Sequence, residues 1–169
     1  AWKRIGGANA ADVESARAAI ALRRGDAGQA FTFLQPLAAE IIARPSANAP
    51  LNLLIGSAVA AQRTDVALVW LAQLSPARRV IALAAWFEAA RSLSPGDRVS
   101  ALEAVSSFIE SPANIANRDG AIAGATPMLI AAWTETCRDG IGTACDRAQA
   151  LLDGADAAVP GIAVFDTIK

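Results

Sequence analysis

The sequence predicts an all-α chain of about eight helices arranged as antiparallel pairs, and three observations predict it. Alanine fills 42 of the 169 positions, and alanine has the best intrinsic helix propensity while letting neighbouring helices approach closely. Large apolar residues recur at intervals of three and four, as in Phe31, Leu34, Leu37 and Ile41 or in Leu102, Val105, Phe108 and Ile109, which places them on one face of a 3.6-residue helix. Turn signals recur as well. The segments around Gly25-Asp26, Thr64-Asp65 and Gly96-Asp97 each carry an Asp followed within a few residues by a small residue, Ala30, Ala67 and Ala101. The three Asp are 39 and 32 residues apart, near the period of known helix-pair repeats. A weaker fourth turn is expected at Asp139-Gly140, with Ala144 after it.

Helices are expected over 10–24, 26–44, 49–62, 65–74, 76–93, 96–110, 127–138 and 141–153. They make one domain over 1–169, with pairs at about 10–44, 49–74, 76–110 and 127–153 and an irregular tail at 154–169. Gly after a helix accepts the left-handed conformation that closes it, and Asp or Thr caps the next helix. Ser75-Pro76, Ser94-Pro95, Ser111-Pro112 and Thr126-Pro127 each suit a cap followed by the first helical position, so they mark helix starts. Pro36 falls inside the second helix and predicts a kink, because it lacks the N–H that an unbroken helix needs. Residues 111–126 read as a loop with one short helical turn near Ile115. In the tail, Val164, Phe165 and Ile168 suggest a segment not simply free in solvent.

Composition narrows the function. With 54% hydrophobic, 18% charged and 5% aromatic residues, the chain is neither disordered nor an aromatic-rich β-sandwich. It has no His and no Tyr, which removes the commonest general base and metal ligand and lowers the expectation of hydrolase, metalloenzyme or redox chemistry. No cofactor or metal is expected. A net charge of −1 without a basic stripe argues against nucleic acid. The uncharged runs 45–62 and 121–134 are interrupted by proline or asparagine, and neither is expected to span a membrane. The opening Ala1-Trp2-Lys3-Arg4 lacks an initiator Met and an apolar leader, so a mature or trimmed chain, or a piece of a larger protein, is the expectation.

Leu54-Ile55-Gly56-Ser57-Ala58, the Asp65 turn with Ala67, and the Gly25-Asp26 and Gly96-Asp97 turns together resemble the tetratricopeptide (TPR) and Sel1-like repeat superfamily over roughly residues 10–154. The usual first-helix Trp and Tyr are missing and the repeat lengths vary. The resemblance implies a right-handed array of antiparallel helix pairs, a TPR-like α-solenoid, whose role is binding other proteins. An unrelated helical bundle is the alternative.

Cys137 and Cys145 are eight residues apart and flank the fourth turn. Facing helix ends can bring such a pair within disulfide reach, and the alternative is two buried thiols in a cytosolic protein. The spacing resembles that of cysteine-rich Sel1-like repeats, which implies a bridge and a periplasmic or extracellular location.

In stacked pairs the first helices line the concave surface. Their outward stripe is expected to hold Ser15, Ala19 and Leu22, then Leu53, Ser57 and Ala60, then Trp86, Ala90 and Leu93, and last Leu129, Trp133 and Thr136. Trp86 and Trp133 would anchor an apolar peptide; the competing reading for both is core packing, which is also the reading for Trp70. Arg23-Arg24 and Arg78-Arg79 read as solvated helix ends, and Glu103, Glu110, Asp119 and Glu135 as charged helix faces. The expected function is therefore non-enzymatic, a protein-interaction or scaffolding domain binding an apolar peptide or helix in a groove, as part of a bacterial envelope assembly. A helical enzyme or small-ligand domain with a carboxylate-lined pocket is the alternative.

Overall fold

Residues 10–111 and 120–158 are described by a computed structural model, and within them all regular structure is helical, with no strand. The helices are α1 (Ala10–Arg23), α2 (Ala27–Leu34), α3 (Ala38–Ala43), α4 (Asn48–Ala60), α5 (Thr64–Gln73), α6 (Pro76–Arg91), α7 (Pro95–Ile109), α8 (Gly120–Arg138) and α9 (Gly142–Ala158). The kink expected at Pro36 is a full interruption: a 3-10 turn over Gln35–Leu37 divides the second predicted helix into α2 and α3. Ser75 and Ser94 precede α6 and α7 with Pro at the first helical position. Thr126-Pro127 behaves differently. It lies inside α8, which begins at Gly120, so the helix starts seven residues before the proline. A proline is compatible with a first turn but does not define one. At the other end α9 runs through Gly154 to Ala158, beyond the expected stop at 153. Ser111-Pro112, the turn near Ile115 and the tail residues Val164, Phe165 and Ile168 fall wholly or partly outside the described residues.

Three of the four aligned turns close by one backbone device, and the turns cap by several. Gly25 and Gly140 adopt φ of +78° and +88°, and Gln62 takes the same left-handed position at +59°. At the first two turns the following amide reaches back over the helix end, from Asp26 to Ala21 O and from Arg63 to Ala58 O, which satisfies carbonyls the helix leaves unpaired. Asp26 caps α2, its Oδ1 accepting from Gln29 N at 2.8 Å. Asp65 lies within the first turn of α5 and does not cap it. Asp97 works through Ser94, whose hydroxyl donates to Asp97 Oδ2 at 2.6 Å and accepts from Asp97 N at 3.4 Å. Gly96 is a helical residue of α7, so that turn is not closed by a left-handed glycine.

Sequence neighbours α1 and α2, α4 and α5, α6 and α7, and α8 and α9 pack on each other; α1 also touches α4, α4 touches α6, and α6 touches α8. The small residues after the turns explain how closely the rods come. Ala30, Ala67, Ala101 and Ala144 are all inaccessible to solvent or nearly so. Larger side chains fill the space between, with Leu34, Ile41, Leu54, Leu71, Leu83 and Leu102 buried in one core. Trp70 is core, its ring 6.0 Å from that of Phe31.

Arginines tie helices together, some of them distant in sequence. Arg78, 8% exposed, donates from Nη2 to Ile41 O at 3.0 Å and from Nη1 to Ile42 O, at the end of α3. Arg79 donates from Nε to Leu71 O at 3.1 Å, near the end of α5. These residues are thus not solvated helix ends. They supply donors and positive charge at carbonyls near the C-terminal ends of α3 and α5, which is the favourable end of the helix dipole for a cation. Arg98 joins Asp139 in the α8–α9 turn and donates to Arg91 O at 3.2 Å.

Candidate functional site

A surface cavity of about 660 Å³ lies between the C-terminal part of α1, the α1–α2 turn, α4 and α6. Its floor is made of small residues: Gly56 and Ala60 on α4 face Ala85 and Ala89 on α6. A Cβ placed on Gly56 would stand 4.0 Å from Ala89 Cβ, ordinary contact distance, so the helices meet across this floor without crowding. Leu22, Leu53 and Leu93 add larger apolar walls, and Asn52 and Ser92 add neutral polar ones. Glu88 is the single ionisable residue in the lining; it accepts from Arg91 Nη1 at 3.1 Å and its side chain is 77% exposed. The surface therefore offers shape and apolar contact, with hydrogen-bonding groups only at its margin.

Of the stripe expected from sequence, Leu22, Leu53, Ala60 and Leu93 line this cavity. Ser57, Trp86, Ala90, Leu129, Trp133 and Thr136 do not line it; all are buried, and Ser15 is too. The expected stripe is rotated by about one residue. On α6 the lining passes through Ala85, Glu88, Ala89 and Ser92, while Trp86 and Ala90, one position further on, turn inward. One residue is 100° of helix, enough to move a side chain from groove to core. Gly56 and Ala60, and Ala85 and Ala89, repeat small residues at a spacing of four, a pattern that could have located the floor.

The two tryptophans expected to contact a ligand are instead held by hydrogen bonds inside. Trp86 Nε1 donates to Ala101 O at 3.1 Å, and Trp133 Nε1 donates to Ser106 Oγ at 3.1 Å. Burying the ring is favourable only where its N–H finds such a partner.

Two of the expected carboxylates are engaged by arginines. Glu110 accepts twice from Arg147 Nη2, at 2.7 and 2.6 Å, and Glu135 accepts from Arg91 Nε at 2.9 Å. Glu103 and Asp146 border a second, smaller concavity of about 380 Å³ between α7, α8 and α9, but both are solvent-exposed; Asp119 lies outside the described residues. Among the described residues no three His, Cys, Asp or Glu side chains are placed to hold a metal ion, and no helix is long and apolar enough to cross a membrane. Cys137 and Cys145 are at disulfide distance, their sulfurs 2.02 Å apart and their Cα atoms 4.6 Å apart.

Compared with known proteins, the chain matches no family model, no curated protein and no solved structure. The site has to be interpreted from its own geometry.

Proposed function

We propose that this chain is a non-enzymatic protein-interaction or scaffolding domain, a right-handed TPR-like array of antiparallel helix pairs that takes an apolar peptide or helix of a partner protein in the trough between α1, α4 and α6. The observation that carries this reading is the small-residue floor, Gly56, Ala60, Ala85 and Ala89, walled by Leu22, Leu53 and Leu93. A floor of methyl groups and one glycine gives a partner's large side chains room to descend, and burying them releases water from both surfaces. The array reading is supported by the packing of α1 on α2, α4 on α5, α6 on α7 and α8 on α9 together with the contacts α1 to α4, α4 to α6 and α6 to α8, the nearest-neighbour pattern of a repeat stack.

A peptide library panned on the full chain tests the groove. Selected apolar peptides are expected to shift the amide resonances of Leu53, Gly56, Ala85 and Ala89, and Ala89→Arg should weaken them at least tenfold while leaving the circular dichroism unchanged. Shifts confined to other surfaces, or unchanged affinity in Ala89→Arg, would reject the reading.

We further infer that the domain works in an oxidising compartment, the periplasm or the extracellular space, within an envelope assembly. The support is the Cys137–Cys145 pair at bonding distance, since such bridges persist outside reducing cytosol. A thiol count on native material denatured without reductant should give no free sulfhydryl; two would remove the argument.

A further inference from the structure

The disulfide lies away from the groove, at the root of the helix that ends the described chain, and that helix is otherwise lightly held. Only Ala144 and Ala148 of its described side chains are buried, with Leu151 partly buried against the core. Two methyl groups remove little apolar surface from water, and a helix in a folded protein owes most of its stability to such burial. Among the described residues its ion pair beyond the adjacent helix is Arg147–Glu110, whose side chains are 36% and 37% exposed; a pair so accessible to solvent is weakly stabilising and screened by salt. By contrast α8 is anchored independently, through buried Leu129 and Trp133 and the Trp133–Ser106 hydrogen bond.

We propose that α9 is a redox-tethered cover: the Cys137–Cys145 disulfide keeps it on α8, and reduction releases it while the rest of the array stays folded. Both cysteines are partly exposed, so a thiolate can reach them. The reductant is a dithiol, a small molecule or a dithiol protein. One thiolate attacks either cysteine sulfur and forms a mixed disulfide; the second displaces the remaining cysteine. Two electrons and two protons thereby convert the bridge to two thiols as the dithiol becomes a disulfide. Release of α9 removes Thr143, Asp146, Arg147 and Ala150 from one wall of the second concavity, leaving Trp133, Val99 and Glu103 on the other. The surface uncovered is the side of α7 and α8 around Trp133.

Hydrogen exchange with mass spectrometry on the full chain, oxidised and in dithiothreitol, tests this. The expected result is that amides of 142–154 exchange at least tenfold faster after reduction, with α4 to α7 unchanged and residues near Trp133 intermediate. Unchanged protection of 142–154 overturns the proposal, as does equal loss across α4 to α7, which would make the bridge a global staple. The double variant Cys137→Ala/Cys145→Ala should match the reduced protein without reductant; protection equal to that of the oxidised chain also overturns it.

Discussion

The indole N–H of Trp133 donates to Ser106 Oγ at 3.1 Å, and the same hydroxyl donates to Leu102 O at 2.7 Å. One buried serine therefore links α8 to α7 and keeps the largest side chain of α8 satisfied. Ser106→Ala is expected to destabilise the fold by about 1–3 kcal/mol, because the indole N–H stays buried without an acceptor. In a Trp133→Phe background the same substitution should cost measurably less, since the orphaned donor is gone. Urea unfolding of the four members of that cycle measures the coupling; a coupling near zero would mean the bond contributes nothing.

Arg78 carries a guanidinium into the interior and meets main-chain oxygens there. Arg78→Ala should lose about 2–4 kcal/mol, since it strips two donors from the end of α3 and opens space in the core. Arg78→Lys keeps the charge but cannot reach two carbonyls in one plane, so it should fall between the wild type and the alanine variant. Thermal melts of the three proteins rank them.

Gln62 has a side chain where its backbone is better suited to glycine. Gln62→Gly is expected to raise stability by about 0.5–1 kcal/mol, because the left-handed position costs a residue with a Cβ more than it costs glycine. A fall in the urea midpoint would show that the Gln62 side chain contributes more than its backbone costs.

Ala67 tests how closely the helices meet after the turns. Ala67→Leu should destabilise by about 1–3 kcal/mol through overpacking, whereas Ala72→Leu, on the exposed side of the same helix, should be nearly neutral. Equal effects would mean that the interior around Ala67 has slack.

The helical class, a distortion at Pro36 and the small alanines after the turns were legible in the sequence because each rests on a local rule: propensity, a missing N–H, a missing side-chain volume. The groove was only half legible. Periodicity says that Ala85 and Trp86 lie about 100° apart around α6, but which of them faces neighbouring helices depends on packing with α4, α7 and α8, and that is set by residues distant in the chain. Trp86 and Trp133 looked like ligand contacts because a large aromatic on a stripe suits a hot spot; their hydrogen bonds to Ala101 O and Ser106 Oγ place both inside. The carboxylates were read only as charged helix faces, and the arginine partners of Glu110 and Glu135, Arg147 and Arg91, lie 37 and 44 residues away and left no trace in local spacing.

The arginine ties have an evolutionary corollary. Arg78, Arg79 and Arg98 reach Ile41, Leu71 and Arg91 through carbonyl oxygens, and every amino acid presents the same one. The contacted positions can drift in identity without loosening the joint, provided a helix still ends there. For these main-chain contacts the mutational burden falls on the cations, and Arg98 adds Asp139 as a side-chain partner that must also be kept.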